Sequence, residues 1–221
     1  MAAILFDVDG TLVDTTYLHA VTWWQALIQH GHRVPMARIH RAVGMGSDRL
    51  LPYLLDEQPD DDQIAALTAT HAALYRPYWP HLVPLPGAGD LLRTCAARGL
   101  DVVLASSASD DELAALCEVL GADEVITAAT SAADASTSKP APDILQVALD
   151  RSDAAKGQAV FVGDSVWDVE AADRSGIPCI GVECGGTSRY ELREAGAVEV
   201  YRDPAALCRE LDRATRWLTV N

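Results

Sequence analysis

Residues 3–6 read Ala-Ile-Leu-Phe, and the run stops in two acids one residue apart, Asp7 and Asp9, followed by Gly10 and Thr11. An unbroken apolar run bounded by turn-forming residues reads as a strand buried on both faces, the kind found in parallel sheets covered by helices. Like charges at the tip of such a strand raise each other's pKa and oppose burial. The tip therefore calls for chemistry as well as a fold.

Further short aliphatic runs follow at 101–105 (DVVLA), 124–127 (EVIT), 159–163 (AVFVG) and 178–182 (PCIGV). Stretches of helical spacing lie between them. Residues 87–98 carry Leu91, Leu92 and Cys95 on one face, and 110–120 carry Leu113, Leu116, Cys117 and Leu120. Residues 166–175 and 204–218 continue the pattern. Strands that alternate with helices imply right-handed βαβ units and an α/β fold built on a parallel sheet.

One segment departs from the alternation. Residues 15–79 hold helix-like patterns without a convincing strand, separated by HGHRVP, VGMGSD and DEQPDDD. About four helices inserted between the first and second strands are expected to form a small cap over a core made of residues 1–14 and 80–221. The proline-rich stretch 77–87 is the expected return linker. A hinged cap over a sheet edge is one way to exclude water from a reacting centre.

Composition narrows the partners. The chain has 17 Lys and Arg against 32 Asp and Glu, a net charge of −15, which disfavours nucleic acid and anionic membranes. An anionic substrate would then need a metal or a local cation. The five cysteines include no C-x-x-C pair, so neither a zinc site nor a disulfide framework is expected. Asp7 interrupts the apolar start too early for a signal peptide, and no stretch approaches a membrane span, so a soluble cytoplasmic protein is expected.

In open parallel sheets, ligands bind beyond the carboxyl ends of the strands. Asp7, Asp9, Gly10 and Thr11 follow the first run, and Ser106, Ser107 and Ser109 follow the second. Lys139 lies in SKPAPD, and Asp164, Ser165 and Asp168 follow the fourth run. Three carboxylates make a hard oxygen site of the kind Mg²⁺ prefers, with room for water and a phosphate oxygen. One carboxylate can attack phosphorus, and a second can give and take the leaving-group proton. Ser106 can bond the transferring phosphoryl group, while Lys139 offsets charge. Structural roles compete with these: a strand-ending turn at Asp7–Asp9, a helix cap near Ser106 (Ser109 or Asp110 being the more natural cap), a surface charge at Lys139 and a first-turn helix acid at Asp168.

Taken together, Asp7-Val-Asp9-Gly-Thr11, the run ending in Ser106, Lys139 in SKPAPD and Asp164/Asp168 in GDSVWD resemble the four ordered motifs of the haloacid dehalogenase superfamily. The resemblance implies a Rossmann-like core with a helical cap. It also implies Asp7 as nucleophile and Asp9 as general acid/base, with Mg²⁺ on Asp7, the Asp9 carbonyl and Asp164, and Asp168 in support. Asp9 argues against the dehalogenases, and the absence of lysine from 15–79 argues against phosphonatases, which use a cap lysine.

A phosphomonoester hydrolase acting on a sugar phosphate or phosphoglycolate, as a monomer or homodimer, is the expected activity. The alternative is a sugar-phosphate mutase, since VDTTYLHAVTWW is similar to β-phosphoglucomutase and places His19 and Trp23 where that enzyme has a histidine and a tryptophan. Gly163, however, stands where the mutase usually has an acid. A non-catalytic binding protein should have lost a motif residue, and none is lost. By position in the cap loop, Gly44, Met45, Asp48 and Arg49 are candidates for substrate contact, as is Ser107 in the core. His19 and Trp23 share a helix face, where plain packing is the competing role.

Overall fold

The computed structural model describes residues 2–218, so residue 1 and residues 219–221 of the expected core lie outside the described residues. The strands are β1 (Ala3–Phe6), β2 (Asp101–Ala105), β3 (Ala128–Thr130), β4 (Ala159–Gly163), β5 (Cys179–Val182) and β6 (Glu199–Tyr201). They form one parallel sheet in the order β3-β2-β1-β4-β5-β6. Phe6 pairs with Leu104 on one side and with Val162 on the other, so β1 is central. This is the Rossmann-like order, and its switch point falls between β1 and β4.

Alternate residues along each strand feed two separate layers. Ile4, Phe6, Val102, Leu104, Val160 and Val162 meet α5 (Ala88–Ala97), α6 (Asp110–Leu120), α10 (Pro204–Arg209) and α11 (Leu211–Ala214). Leu5, Val103, Phe161 and Cys179 meet α7 (Asp143–Asp150), α8 (Val166–Ser175) and α9 (Arg189–Ala195) on the opposite face. Both faces of the sheet are therefore covered, as the continuous apolar runs require.

Between β1 and β2 lie α1 (Thr16–Gln29), α2 (Met36–Ala42), α3 (Ser47–Leu55) and α4 (Asp61–Tyr75). They enclose their own apolar cluster, with Trp23, Leu27, Ile39, Leu50, Leu51, Leu54 and Leu67 all buried. Two chain crossings join this layer to the sheet. Leu85 N–H donates to the Leu12 carbonyl at 2.8 Å, and Asp14 N–H donates to the Val83 carbonyl at 3.1 Å.

Several expected boundaries shift. The third strand lies at 128–130 rather than 124–127, because residues 123–125 form a 3-10 turn after the left-handed Gly121 that ends α6. Val125 and Ile126 pack against the core from outside the ladder. The expected helix 204–218 breaks at Glu210 into α10, α11 and a further 3-10 turn, which keeps Leu207, Leu211, Ala214 and Leu218 buried. The expected linker 77–87 begins inside a 3-10 helix, Arg76–His81. The pattern does not register β6, whose Glu199 interrupts its short apolar signal, nor α7 and α9.

Phe161 is buried beneath the carboxyl edge of the sheet, with the Lys139 ammonium 5.6 Å from its ring centroid. Phe161→Ala is expected to cost about 3–5 kcal/mol of stability in urea unfolding, through lost burial and a residual cavity. A loss below about 1 kcal/mol would contradict this account of the core.

Candidate active site

Asp7, Asp164 and Asp168 converge at the switch point from the ends of β1, β4 and the first turn of α8, with one carboxylate oxygen of each lying within 4.8 Å of the others. Lys139, from the loop between β3 and α7, reaches them from beneath. Its ammonium is fully buried, donating to Asp7 Oδ1 and, at 2.8 Å, to Asp168 Oδ1. The other Asp168 oxygen accepts from Ser165 N–H at 3.0 Å and from its hydroxyl at 2.6 Å. Ser165 caps α8 in return by accepting from Asp168 N–H. Both oxygens of Asp168 are thus engaged by the protein.

Asp164 accepts from the Thr11 hydroxyl at 3.1 Å. Gly10 and Gly185 wall it in: a Cβ on Gly10 would lie 2.7 Å from Asp164 Oδ2, and one on Gly185 would overlap the same carboxylate. Gly10 also adopts φ +75°, a conformation that L side chains rarely adopt.

The electrostatics show what the cluster lacks. Three buried carboxylates face one ammonium, so positive charge is short. Burial raises the Asp7 carboxyl to about 7, with Asp168 and Asp9 adding to the shift and Lys139 opposing it. Burial, then Asp168 and Asp7, raise Asp164 well above the carboxylate range. Burial alone would lower Lys139, but Asp168 and Asp7 outweigh it and keep the ammonium protonated. A hard divalent cation fits this oxygen-rich, charge-deficient pocket.

Asp9 sits in a different environment. It accepts from the Thr15 hydroxyl at 2.7 Å and from His19 Nε2 at 3.2 Å. Burial would raise it, yet the hydrogen bond and charge of His19 outweigh burial and hold its carboxyl below the usual range. A chain of bonds continues behind His19. The Thr22 hydroxyl lies 2.8 Å from the Leu18 carbonyl and 3.0 Å from His71 Nδ1. His71 Nε2 and His19 Nδ1 share a hydrogen bond at 3.3 Å, and a His19 charged on both nitrogens can donate along it and to Asp9 together. Burial, with the charge on His19, keeps His71 neutral. Burial would lower His19 too, but Asp9 first and then Glu112 raise it.

Above these acids a cavity of about 760 Å³ lies between the sheet edge and the inserted helices. Asp7, Asp9, His19, Trp23, Gly44, Met45, Asp48 and Ser107 line it, whereas Ser106, Lys139, Asp164 and Asp168 lie outside its wall. Ser106 is buried at the end of β2 and accepts from Ala108 N–H at 3.0 Å; Ser109 is the helix cap. Trp23 stacks on His71 at 4.1 Å between centroids and belongs to the helical core as well as the wall.

Arg49 departs from expectation. Its side chain is 54% exposed and approaches only Asp48, at 3.8 Å, so it lies outside the cavity. The α3 turn that points Asp48 toward the core sends its neighbour to solvent. Asp48 accepts from Ser138 N–H at 3.3 Å and from its hydroxyl, and Gly46 N–H donates to Ser138 Oγ at 3.1 Å. On the other side His40 Nε2 donates to the Gly185 carbonyl at 3.0 Å, and Trp167 Nε1 to the Arg41 carbonyl at 2.8 Å. The inserted helices are docked at both edges.

The sequence pattern does not single out Thr15, Gly185, His71, Tyr75 or Glu112. Thr15 lies beside the first motif, and the Gly185-Gly186 pair three residues after a strand is a detectable signal. Glu112 looks like any acid in a helix first turn.

Residues 1–176 match the family described as haloacid dehalogenase-like hydrolases. A phosphoglycolate phosphatase from Rhodospirillum rubrum is 33% identical over 93% of this chain and 88% of its own length. The crystal structure of a hydrolase from Pseudomonas syringae superposes with a TM-score of 0.91 at 33% identity, covering 96% of this chain and 99% of its own. CbbY from Rhodobacter sphaeroides, solved with xylulose-(1,5)bisphosphate, gives a TM-score of 0.75 at 25% identity, covering 94% of this chain and 96% of its own.

Two measurements test the charge deficit. Saturating Mg²⁺ is expected to raise Tm by about 5–10 °C at a hundredfold excess over Kd, and Asp164→Asn should lose most of that shift. In metal-free protein Asp7 binds its proton more tightly folded than unfolded, so its contribution to stability is present below pH 3.8 and is lost as pH rises to about 7. The Tm difference between the unaltered protein and Asp7→Asn should therefore fall across that window, and Mg²⁺ should flatten the fall. An equal Mg²⁺ shift in Asp164→Asn would contradict the assignment.

Proposed function

The chain belongs to the haloacid dehalogenase-like hydrolases, and from that premise we propose a Mg²⁺-dependent phosphatase that works through an aspartyl-phosphate on Asp7. It hydrolyses phosphomonoesters of small metabolites, in line with the phosphatase name of its Rhodospirillum relative and the sugar bisphosphate bound to CbbY. The observation that carries the mechanism is the contrast between two neighbouring acids: Asp7 is held by a buried ammonium, and Asp9 by a protonated histidine.

Asp7 attacks phosphorus, forming the Asp7–phosphorus bond as the bond to the leaving oxygen breaks. Lys139 fixes the attacking carboxylate and offsets its charge. Ser106, whose oxygen accepts from Ala108, still has its hydroxyl proton to donate to the phosphoryl group. The leaving oxygen takes its proton through Asp9: His19 passes a proton to the ionised Asp9 across their hydrogen bond as Asp9 gives one to the leaving oxygen, which leaves His19 neutral and Asp9 ionised again. Asp9 then takes a proton from water as that water attacks phosphorus and frees Asp7. Asp7, Asp164 and the Asp9 carbonyl would hold Mg²⁺, which screens phosphate charge; Asp168, already saturated, would act indirectly.

Residues 15–79 act as the cap in this reading, hinged where residues 12–14 cross 83–85. Gly44, Met45, Asp48 and Ser107 would border the organic part of the substrate. The mutase alternative is disfavoured at Gly163, where a Cβ would lie 2.6 Å from Asp168 Cγ and leave no room for an acid. Among the described residues no helix is long and apolar enough to cross a membrane, and we place the enzyme in the cytoplasm, acting as a monomer or homodimer.

Asp7→Asn should abolish turnover and phosphoenzyme formation while the far-ultraviolet spectrum stays native; near-normal Mg²⁺-dependent turnover would refute the mechanism. Asp9→Asn should slow hydrolysis of an alkyl phosphate by at least about a hundredfold, and p-nitrophenyl phosphate much less. Equal losses on the two substrates would remove Asp9 from its acid role.

A further inference from the structure

Beyond Asp9, Tyr75, Trp79 and Glu112 line the cavity, and each carries a buried polar atom with no hydrogen-bond partner among the described residues: the Tyr75 hydroxyl, Trp79 Nε1 and Glu112 Oε1, the last facing His19 as an ion pair at 3.5 Å. Tyr75 is only 1% exposed, so water does not compensate for its unmade bond from outside. Buried polar groups are almost always paired, and three exceptions on one wall call for an explanation.

The three come from separate elements yet converge. Tyr75 ends α4, Trp79 lies in the 3-10 turn that follows, and Glu112 opens α6 of the core. The Tyr75 and Trp79 rings meet edge-on at 6.5 Å between centroids. The Tyr75 ring is 4.2 Å from His19, which bonds Asp9 and lies 3.5 Å from Glu112 Oε1. The group therefore stands beside the acid that serves the leaving oxygen, where the organic part of a phosphate ester at Asp7 would extend.

Their chemistry is complementary. The indole N–H only donates, the phenol does either, and the Glu112 carboxyl, which burial pushes up to about 7, accepts when ionised and donates when protonated. Hydroxyls on a carbon chain satisfy all three. A carboxylate on the substrate would face Asp9, Asp48 and Asp111 in the same cavity. Arg76 is the only Arg or Lys among the described lining residues. Its side chain is 68% exposed, lies over Trp79 and is 3.9 Å from Asp111, at the rim. His19, the nearer cation, is already shared by Asp9 and Glu112.

We propose that Tyr75, Trp79 and Glu112 form a subsite for hydroxyl groups of the leaving group, so that the substrate is the phosphate ester of an uncharged polyol or sugar and not of a hydroxy acid. The proposal rests on the phosphatase reading above. The residues are contributed from both sides of the hinge, so the subsite is complete only when the inserted helices are docked.

Glycerol 1-phosphate, propyl phosphate and phosphoglycolate test it, assayed for phosphate release with saturating Mg²⁺ beside p-nitrophenyl phosphate. For the unaltered enzyme, kcat/KM for glycerol 1-phosphate should exceed each of the other two alkyl esters by about tenfold or more. Tyr75→Phe, Trp79→Phe and Glu112→Gln each remove one polar partner with little change of shape. Each should shrink the glycerol-to-propyl ratio about threefold to tenfold, and Glu112→Gln should also narrow the gap to phosphoglycolate. Preference for phosphoglycolate, or ratios that stay put in all three variants, would overturn the subsite while leaving the phosphatase intact. No phosphate from any of the four esters would overturn the phosphatase reading and the subsite with it.

Discussion

The Lys139 ammonium, buried between Asp7 and Asp168, is the interaction on which the rest of the site depends. It ties together the end of β1, the loop after β3 and the first turn of α8, three parts of the chain that share no local contact. Desolvating an ammonium is costly, and removing one partner of such a pair leaves a bare buried charge, so the arrangement is held as a unit. Phe161 beneath and the Ser165 capping box beside it fix the two ends of that unit. A surface lysine could supply the same charge but could not hold the Asp7 carboxylate in one orientation.

Around that anchor the acids are divided by environment. Asp7, Asp164 and Asp168 share one ammonium, and the deficit draws in a cation or protons. Asp9 points away from them toward His19 and keeps its negative charge at a pH where the deficit would otherwise protonate it. The His19–His71–Thr22 chain holds the imidazole in place, so that its Nε2 faces Asp9. In the proposed mechanism one acid attacks and the other exchanges a proton, although they are separated by one residue.

Much of this was legible in the sequence because buried parallel strands leave a strong trace. Ala3–Phe6 and Ala159–Gly163 read as strands from apolar runs, and the acids after them mark the carboxyl edge. β6 and the true position of β3 left weaker traces, since Glu199 and a 3-10 turn at 123–125 interrupt the apolar signal where neighbouring packing decides the outcome. Lys139 was legible as a motif residue but not as a wholly buried one. Arg49 shows the limit in the other direction: loop position suggested substrate contact, yet one step along α3 separates Asp48, bound to Ser138, from a side chain in solvent. Tyr75 and Glu112 gave no signal, because an aromatic at a helix end and an acid in a first turn are ordinary until the fold brings them together.

The docking of the inserted helices links these levels. Asp48 and Gly46 meet Ser138 at one edge, and His40 meets the Gly185 carbonyl at the other, on the glycine that also walls in Asp164. The docked arrangement therefore sets His19 against Asp9 and Tyr75 near Glu112 together, with each pair split between the inserted segment and the rest of the chain. A substrate whose hydroxyls bridge Tyr75 and Glu112 would favour the docked state, which is the state that holds the proton donor in place. Recognition of the leaving group and protonation of its oxygen would then draw on the same closure, and an ester lacking hydroxyls would lose rate as well as affinity.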